Sequence, residues 1–256
     1  MSNKPKAPGC AELAVVVGAG AFGEDIIATL ARAGLGVLAI SRTQETLDAL
    51  AAKIDNVIPC VADLSNDSAI EVIRTALDRP VRMVVHGPGV AVAGGILTAP
   101  TEAMVQSVNI KVGGMLRLAR ATDERLVAHS RLVAIGGHYG LEPTAYAAAA
   151  GVANAALVNV MRQLSLALGP RGITAHTIAP GPADTERLRN VAKTRAEQRG
   201  CSVDEVLEEL KEESSIGAFT SSSQVAWAVS MLLAPEADAM TGSTLMLDSG
   251  RRRGLP

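Results

Sequence analysis

At 256 residues, with 48% apolar and 20% charged residues and a mean hydropathy of +0.24, the chain has material for one large buried core and too much of it to stay disordered. Twenty-four basic residues against 26 acidic ones leave a formal charge of -2, which excludes the broad basic face that a phosphate backbone requires. With 2% aromatic residues base stacking is poorly served as well, so no nucleic-acid partner is expected.

In chain order, residues 1–10 are polar and lack the charged start and apolar run of a signal peptide. No later stretch offers 18 unbroken apolar residues, so no membrane partner is expected. Cys10, Cys60 and Cys201 are scattered and form no CxxC pair, which predicts neither a disulfide framework nor a metal site and fits a reducing, cytoplasmic setting. A strand-length apolar run at 13–17 leads directly into Gly18-Ala19-Gly20-Ala21-Phe22-Gly23 and then a helical stretch over 24–33. Glycines at GxGxxG spacing between a strand and a helix permit a tight turn and let a pyrophosphate approach the backbone, where free N–H groups and the positive helix end meet its charge. Gly18, Gly20, Phe22 and Gly23 are therefore candidate dinucleotide-binding residues; the plainer alternative is a tight turn and nothing more. The next strand, 37–40, ends in Ser41-Arg42, where a fold that selects NAD places an acid for the ribose hydroxyls. A hydroxyl and a guanidinium suit a 2′-phosphate instead, which points to NADP(H) as the cofactor.

Beyond this point helices are expected over 44–53, 69–77, 102–120 and 146–168, alternating with strands at 57–61, 83–85, 132–135, 174–178 and 245–247. Strands alternating with helices mean βαβ units, and strands apolar at consecutive positions mean a parallel sheet covered on both faces. The predicted fold is α/β, a single Rossmann-type doubly wound domain over 1–256. Helix 146–168 carries a run of small residues (147–151, 153, 155, 156) suited to close packing, including across a subunit interface. From 184 to 215 the composition turns charged and polar, with Gly200 dividing two amphipathic stretches, as in an inserted helical lid. Arg251, Arg252 and Arg253 read as a solvated tail.

Further motifs punctuate this frame. Asp63-Leu64 closes the third strand, His86-Gly87-Pro88-Gly89 follows the fourth, and Val108-Asn109-Ile110 lies in the long helix. Pro180-Gly181-Pro182-Ala183-Asp184-Thr185 follows the sixth strand, with Thr241-Gly242 and Asp248-Ser249-Gly250 near the end. In order and spacing this set resembles the short-chain dehydrogenase/reductase family over nearly the whole chain. The resemblance implies that Asp63, beside Leu64, holds the adenine amino edge. It places His86, Gly87 and Gly89 where the family has an Asn-Asn-Ala-Gly turn, of which only the last glycine is kept. It makes Pro180, Gly181 and Thr185 part of a PGxxxT motif whose threonine meets the nicotinamide carboxamide, and Asn109 the active-site asparagine. A homodimer or homotetramer built on the two long helices is also implied.

The catalytic centre departs from the family pattern. Where the family has a serine, a tyrosine and a lysine four residues after the tyrosine, this chain has Gly137, Tyr146 and Ala150, and the segment between the first two is shorter. An unassisted phenol has a pKa of ~10, so about one molecule in a thousand is phenolate at pH 7. Oxidising an alcohol needs that phenolate; reducing a carbonyl needs the abundant neutral phenol. His138, beside the vanished serine, is a second proton-donor candidate. The leading expectation is hydride transfer between NADP(H) and a small-molecule carbonyl, imine or activated alkene, with Tyr146, Asn109 and His138 as catalytic residues. The alternative is non-redox work on the same scaffold, as a lyase, isomerase or cyclase, or a catalytically silent NADP(H)-binding protein.

Overall fold

The computed structural model describes residues 10–254 except Ala19, Ala21 and 91–93. Seven strands, β1 (Leu13–Val17), β2 (Gly36–Ser41), β3 (Val57–Val61), β4 (Val81–His86), β5 (Leu126–Ile135), β6 (Thr174–Pro180) and β7 (Thr244–Leu247), form one sheet in the order β3-β2-β1-β4-β5-β6-β7. Every pairing is parallel. Helices α1 (Gly23–Arg32), α2 (Gln44–Lys53), α3 (Ser68–Ala76), α4 (Thr101–Val108), α5 (Gly114–Thr122), α6 (Ala148–Leu168), α7 (Glu186–Arg199), α8 (Val203–Glu212) and α9 (Ser222–Met231) complete the described elements.

The residues of β1 show why the sheet is covered twice. Leu13, Val15 and Val17 pack into one core with Ile73 of α3, Leu118 of α5 and Leu157 of α6. Ala14 and Val16 point the other way, into a core with Ile26 of α1, Leu47 of α2 and Val225 of α9. Alternation along a strand sends neighbours to opposite faces, and both faces are apolar because both are roofed by helices. Strand order reverses between β1 and β4, which opens a crevice beyond their C-terminal ends. Among the described residues no helix is long and apolar enough to cross a membrane.

Three departures from the sequence reading have local causes. The helix expected over 102–120 is interrupted by a π-helical turn, Asn109–Gly113, between α4 and α5. There the His86 imidazole lies against α5, so close that a Cβ on Gly114 would come within 2.7 Å of its Nε2. Strand β5 begins at Leu126, ahead of the expected 132, because its polar stretch is internally satisfied. Arg131 is fully buried, donating to the carbonyls of Leu232 (2.7 Å) and Ala234 (3.2 Å) and meeting Asp238 at 2.7 Å. These contacts close the end of α9, a helix hidden in the sequence behind a serine run and begun by a capping box of Ser221 and Gln224. Last, Arg251 is no solvated tail residue. It is 9% exposed, donates to the Leu210 carbonyl and ion-pairs with Glu213, strapping the C-terminal segment to α8.

Replacing Arg131 by methionine keeps the buried stem but strands the carbonyls that close α9. A loss of about 3 kcal/mol in urea-unfolding free energy is expected, with the m-value unchanged.

Candidate functional site

The crevice begins where backbones touch. Gly18 leaves β1 at φ +93, its N–H donating to the Ile40 carbonyl, and Gly87 leaves β4 with its N–H on the Val17 carbonyl at 2.9 Å. A Cβ on Gly87 would lie 2.8 Å from Val17 O, and one on Gly23 would lie 2.0 Å from Gly18 O. Both glycines are required by the protein's own packing. Gly20 differs: a Cβ there meets nothing within 4 Å and points into open space. Phe22, at the N-cap of α1, caps no N–H with its side chain, so the first turn of the helix faces the crevice uncapped. A glycine cradle, an uncapped helix start and a cavity of about 390 Å³ beside them fit a nicotinamide dinucleotide.

The cavity brings together most of the residues singled out by sequence. Gly18, Gly20, Phe22, Gly23, Gly87 and Gly89 line one part of it. Pro180, Gly181 and Thr185 line another, with His138 and Tyr146. The Thr185 oxygen accepts from the Leu188 N–H at 3.3 Å as the N-cap of α7, which leaves its own O–H free to donate. Ser41, Arg42, Asp63 and Leu64 sit at the ends of β2 and β3, outside the cavity lining. There the Asp63 carboxyl is held below its ordinary value by hydrogen bonds from Ser65, with a smaller contribution from the Arg42 charge. Asn109 does not reach the cavity. Its amide donates to Ser65 O (2.8 Å) and its oxygen accepts from Arg117 (2.9 Å), bracing the loop after β3. His86 is buried behind the cavity wall, and burial, then the Lys111 charge, hold its pKa down to about 3.

Two expected positions are reshaped by neighbours. Against Gly137, where the family serine would stand, lies the Asn154 amide; a Cβ on Gly137 would meet its Nδ2 at 2.9 Å. Asn154 is 5% exposed, lines the cavity and leaves its Oδ1 without a hydrogen-bond partner. Ala150 lines the same cavity, as does Lys111, whose ammonium donates to Ile135 O at 2.7 Å. Sequence reasoning passed over Asn154 and Lys111. The one available signal was that Lys111 is the sole charge between Glu102 and Arg117.

The Tyr146 phenol, 39% exposed, is the centre of a polar cluster. Its oxygen is 2.9 Å from that of Tyr139, and the Arg195 guanidinium lies 4.3 Å from the Tyr146 ring centroid. Burial pushes the Tyr146 phenol up, but hydrogen bonds with Tyr139, Arg195 and Arg251 outweigh it and bring the group below its ordinary value. Tyr139 is driven the other way, to about 12, first by burial and then by its hydrogen bond to Tyr146. Two phenols in contact are thus pushed apart in acidity, and the easier one to ionise faces two guanidiniums.

His138, expected from its sequence position as a second proton donor, is held as a neutral ring. Burial, then the Arg251 charge, lower it to about 4, so it is neutral at pH 7. Its hydrogen bond to the Pro180 backbone uses the single N–H of the neutral ring, since proline has only a carbonyl to offer. The buried Nε2 is left without a partner, as an acceptor.

Comparison with known proteins agrees with this geometry. A family model described as Enoyl-(Acyl carrier protein) reductase matches residues 18–252. The chain belongs to the short-chain dehydrogenase/reductases. It is 28% identical over 254 residues to the short-chain reductase protein NovJ of Streptomyces niveus, covering 93% of each chain. Actinorhodin polyketide ketoreductase, in a structure with NADPH, superimposes with a TM-score of 0.86 at 24% identity over 94% of this chain and 97% of that one. An NADPH-bound short-chain oxidoreductase of Pseudomonas aeruginosa PAO1 described as containing an atypical catalytic center gives 0.85 at 19% identity, covering 95% and 98%. The family uses nicotinamide cofactors, and these relatives support a redox function for the chain.

Two measurements check the site. Gly20→Val is expected to fold with wild-type circular dichroism and lose dinucleotide binding, whereas Gly23→Val, forced against Gly18 O, is expected to lose the fold itself; normal binding by Gly20→Val would make the loop purely structural. The buried His86, His138 and His176, lowered to about 3, 4 and 4, bind protons only after unfolding throughout the range from pH 6.5 down to about 4. Stability is therefore full above pH 6.5 and falls as pH drops below it, by roughly 4 kcal/mol per pH unit near pH 5 if all three contribute. Urea midpoints that stay flat between pH 7 and pH 5 would contradict this.

Proposed function

We propose that the protein is an NADPH-dependent reductase of a small carbonyl, imine or activated alkene, with Tyr146 as proton donor at an atypical short-chain dehydrogenase/reductase centre. The observation that carries the reading is the Tyr146 phenol, set in the dinucleotide crevice with its acidity raised by Tyr139, Arg195 and Arg251. The nicotinamide, when bound, supplies the hydride. Residues of the chain handle the proton. Tyr146 gives its phenolic proton to the developing alkoxide or amine, and the phenolate left behind is stabilised by two guanidiniums and by the Tyr139 hydroxyl. Tyr139, harder to ionise, keeps its own proton and remains a donor through the cycle. Asn154 and His138 line the same cavity, each with a buried acceptor atom that no described residue satisfies.

Helices α7 and α8 act in this reading as a lid, since Thr185, Leu188, Val191, Arg195 and Leu210 all face the cavity. Arg42, exposed at the end of β2 beside Asp63, is free to meet a 2′-phosphate, which favours NADPH over NADH.

Titration of NADPH fluorescence, followed by turnover on a panel of ketones, enones and imines, tests the reading. Arg42→Ala should weaken NADPH roughly ten- to a hundredfold and leave NADH unchanged. Saturable NADPH binding with no turnover across the panel would favour a silent cofactor-binding protein or non-redox work on the same scaffold. The chain contains two tyrosines and both belong to this cluster, so phenolate absorbance during a pH titration reads the site directly. One tyrosine should ionise below pH 10 and the other near 12, Tyr146→Phe should remove the first step and most of the reduction, and Arg195→Gln should move that step upward. Two tyrosines titrating together near pH 10 would remove Tyr146's advantage as acid.

A further inference from the structure

We infer that the substrate carries a carboxylate, bound by the Arg195 guanidinium beside the Tyr146 phenol. The inference rests on the reductase reading for the identity of the reacting group, and on separate observations for the anion.

The first is how charge is spent on the helices that roof the cavity. Arg189 pairs with Asp184 at 2.9 Å, Arg199 with Glu209 at 2.6 Å and Lys211 with Glu208 at 3.0 Å, while Arg251 pairs with Glu213. Arg195, which lines the cavity, has no carboxylate within ion-pair distance among the described residues. Its contacts are with the Tyr146 ring and hydroxyl. A guanidinium presents five N–H groups in a flat fork matched to a carboxylate, and a phenol oxygen occupies only part of that fork.

The second is the sign of the cavity. Its described lining includes Lys111 and Arg195 but no aspartate or glutamate, and its other walls are mostly apolar side chains and glycine backbone. The carboxylate that does feel Arg195, Glu209, is already held by Arg199, so a cation half-withdrawn from water is left with only a shared counter-charge beyond ion-pair distance, a cost that an anionic ligand relieves. The glycine loop and the start of α1 provide for cofactor phosphates. Arg195 instead stacks on Tyr146, where the group to be protonated must sit. An oxo acid held this way has its carboxylate on Arg195 and its carbonyl oxygen within reach of the phenol, so one interaction both selects and orients it.

The same anionic chemistry could come from the cofactor's own phosphates, and the experiment separates the two sources. Pyruvate, acetoacetate and levulinate are compared with their methyl esters on wild-type protein and on Arg195→Gln, with NADPH affinity measured for both proteins. The acid-to-ester ratio of kcat/KM cancels any effect of Arg195 on the acidity of Tyr146. For at least one acid it should exceed unity by roughly ten- to a hundredfold in wild type, collapse in Arg195→Gln and recover in part in Arg195→Lys. Esters turned over as well as acids, or a preference that survives Arg195→Gln, would overturn the inference and leave the reductase standing. Weaker NADPH binding in Arg195→Gln with an unchanged ratio would assign the guanidinium to the cofactor, and likewise overturn it. If no carbonyl is reduced, calorimetry of valerate against valeramide on the NADPH-loaded protein still decides: valerate binding that disappears in Arg195→Gln supports the anion site while the reductase reading fails, and equal binding of the two overturns the site.

Discussion

The architecture hangs on main-chain contact at the end of β1, where Gly18, Gly23 and Gly87 come together without side chains between them. The Val17 carbonyl accepts from Gly87, and the Gly18 carbonyl occupies the space where Gly23 would carry a Cβ. This contact sets β1 against β4 at the point where the strand order reverses, and aims the start of α1 at the crevice. Everything functional depends on that opening. Gly23 and Gly87 are fixed by the protein's own packing and Gly18 by its positive φ, whereas at Gly20, beside them, a Cβ would meet only open space.

In the proposed reading, the means of activating Tyr146 are redistributed around this frame. The helix expected from 146 begins at Ala148, so Tyr146 lies in the turn before α6; Ala150 in its first turn can contribute no charge, and the space where a serine at 137 would project is occupied by the Asn154 amide. Positive charge arrives instead from elements distant in sequence: Arg195 on α7 and Arg251 beyond β7, the latter fixed by Glu213 and the Leu210 carbonyl of α8. A lysine at position 150 in the first turn of α6 would act whatever the position of the lid. Guanidiniums held by the α7–α8 pair and the C-terminal strap act only when those elements are packed in place. In the proposed reading, the acidity of Tyr146 therefore depends on the packing of those elements.

Most strands and the glycine loop were legible because their signals are local. A continuous apolar run such as Leu13–Val17 reads as a doubly covered strand from its own residues. What escaped depends on contacts between segments far apart. The start of β5 was obscured by His129 and Arg131, whose polarity is cancelled by Asp238 and by carbonyls at the end of α9, about a hundred residues later, and by Ser130, whose hydroxyl donates to the Val81 carbonyl of β4. Arg251 looked like part of a solvated run because its partners lie on α8. Asn109 matched a catalytic asparagine in spacing, yet its side chain turns to Ser65 and Arg117, a choice made by the loop after β3. His138 sat in the right loop, but burial removes its proton at neutral pH and Pro180 takes its one N–H.

The same separation explains why a missing catalytic lysine is a weak argument for lost chemistry. A phenol responds to the electrostatic potential at its oxygen, and that potential has no memory of which helix supplied it. Tyr139 and Tyr146 start as equals. Burial and their shared hydrogen bond raise one to about 12, while the same hydrogen bond and then the guanidiniums tilt the other downward. Removing the lysine and serine from the motif while retaining this asymmetry keeps an acid and a partner able to stabilise its conjugate base. The cost is specificity of placement: where the serine would have held a carbonyl oxygen, the Asn154 amide fills the space beside Gly137. A substrate that brings an anionic group for Arg195 would supply the placement that a plain ketone lacks.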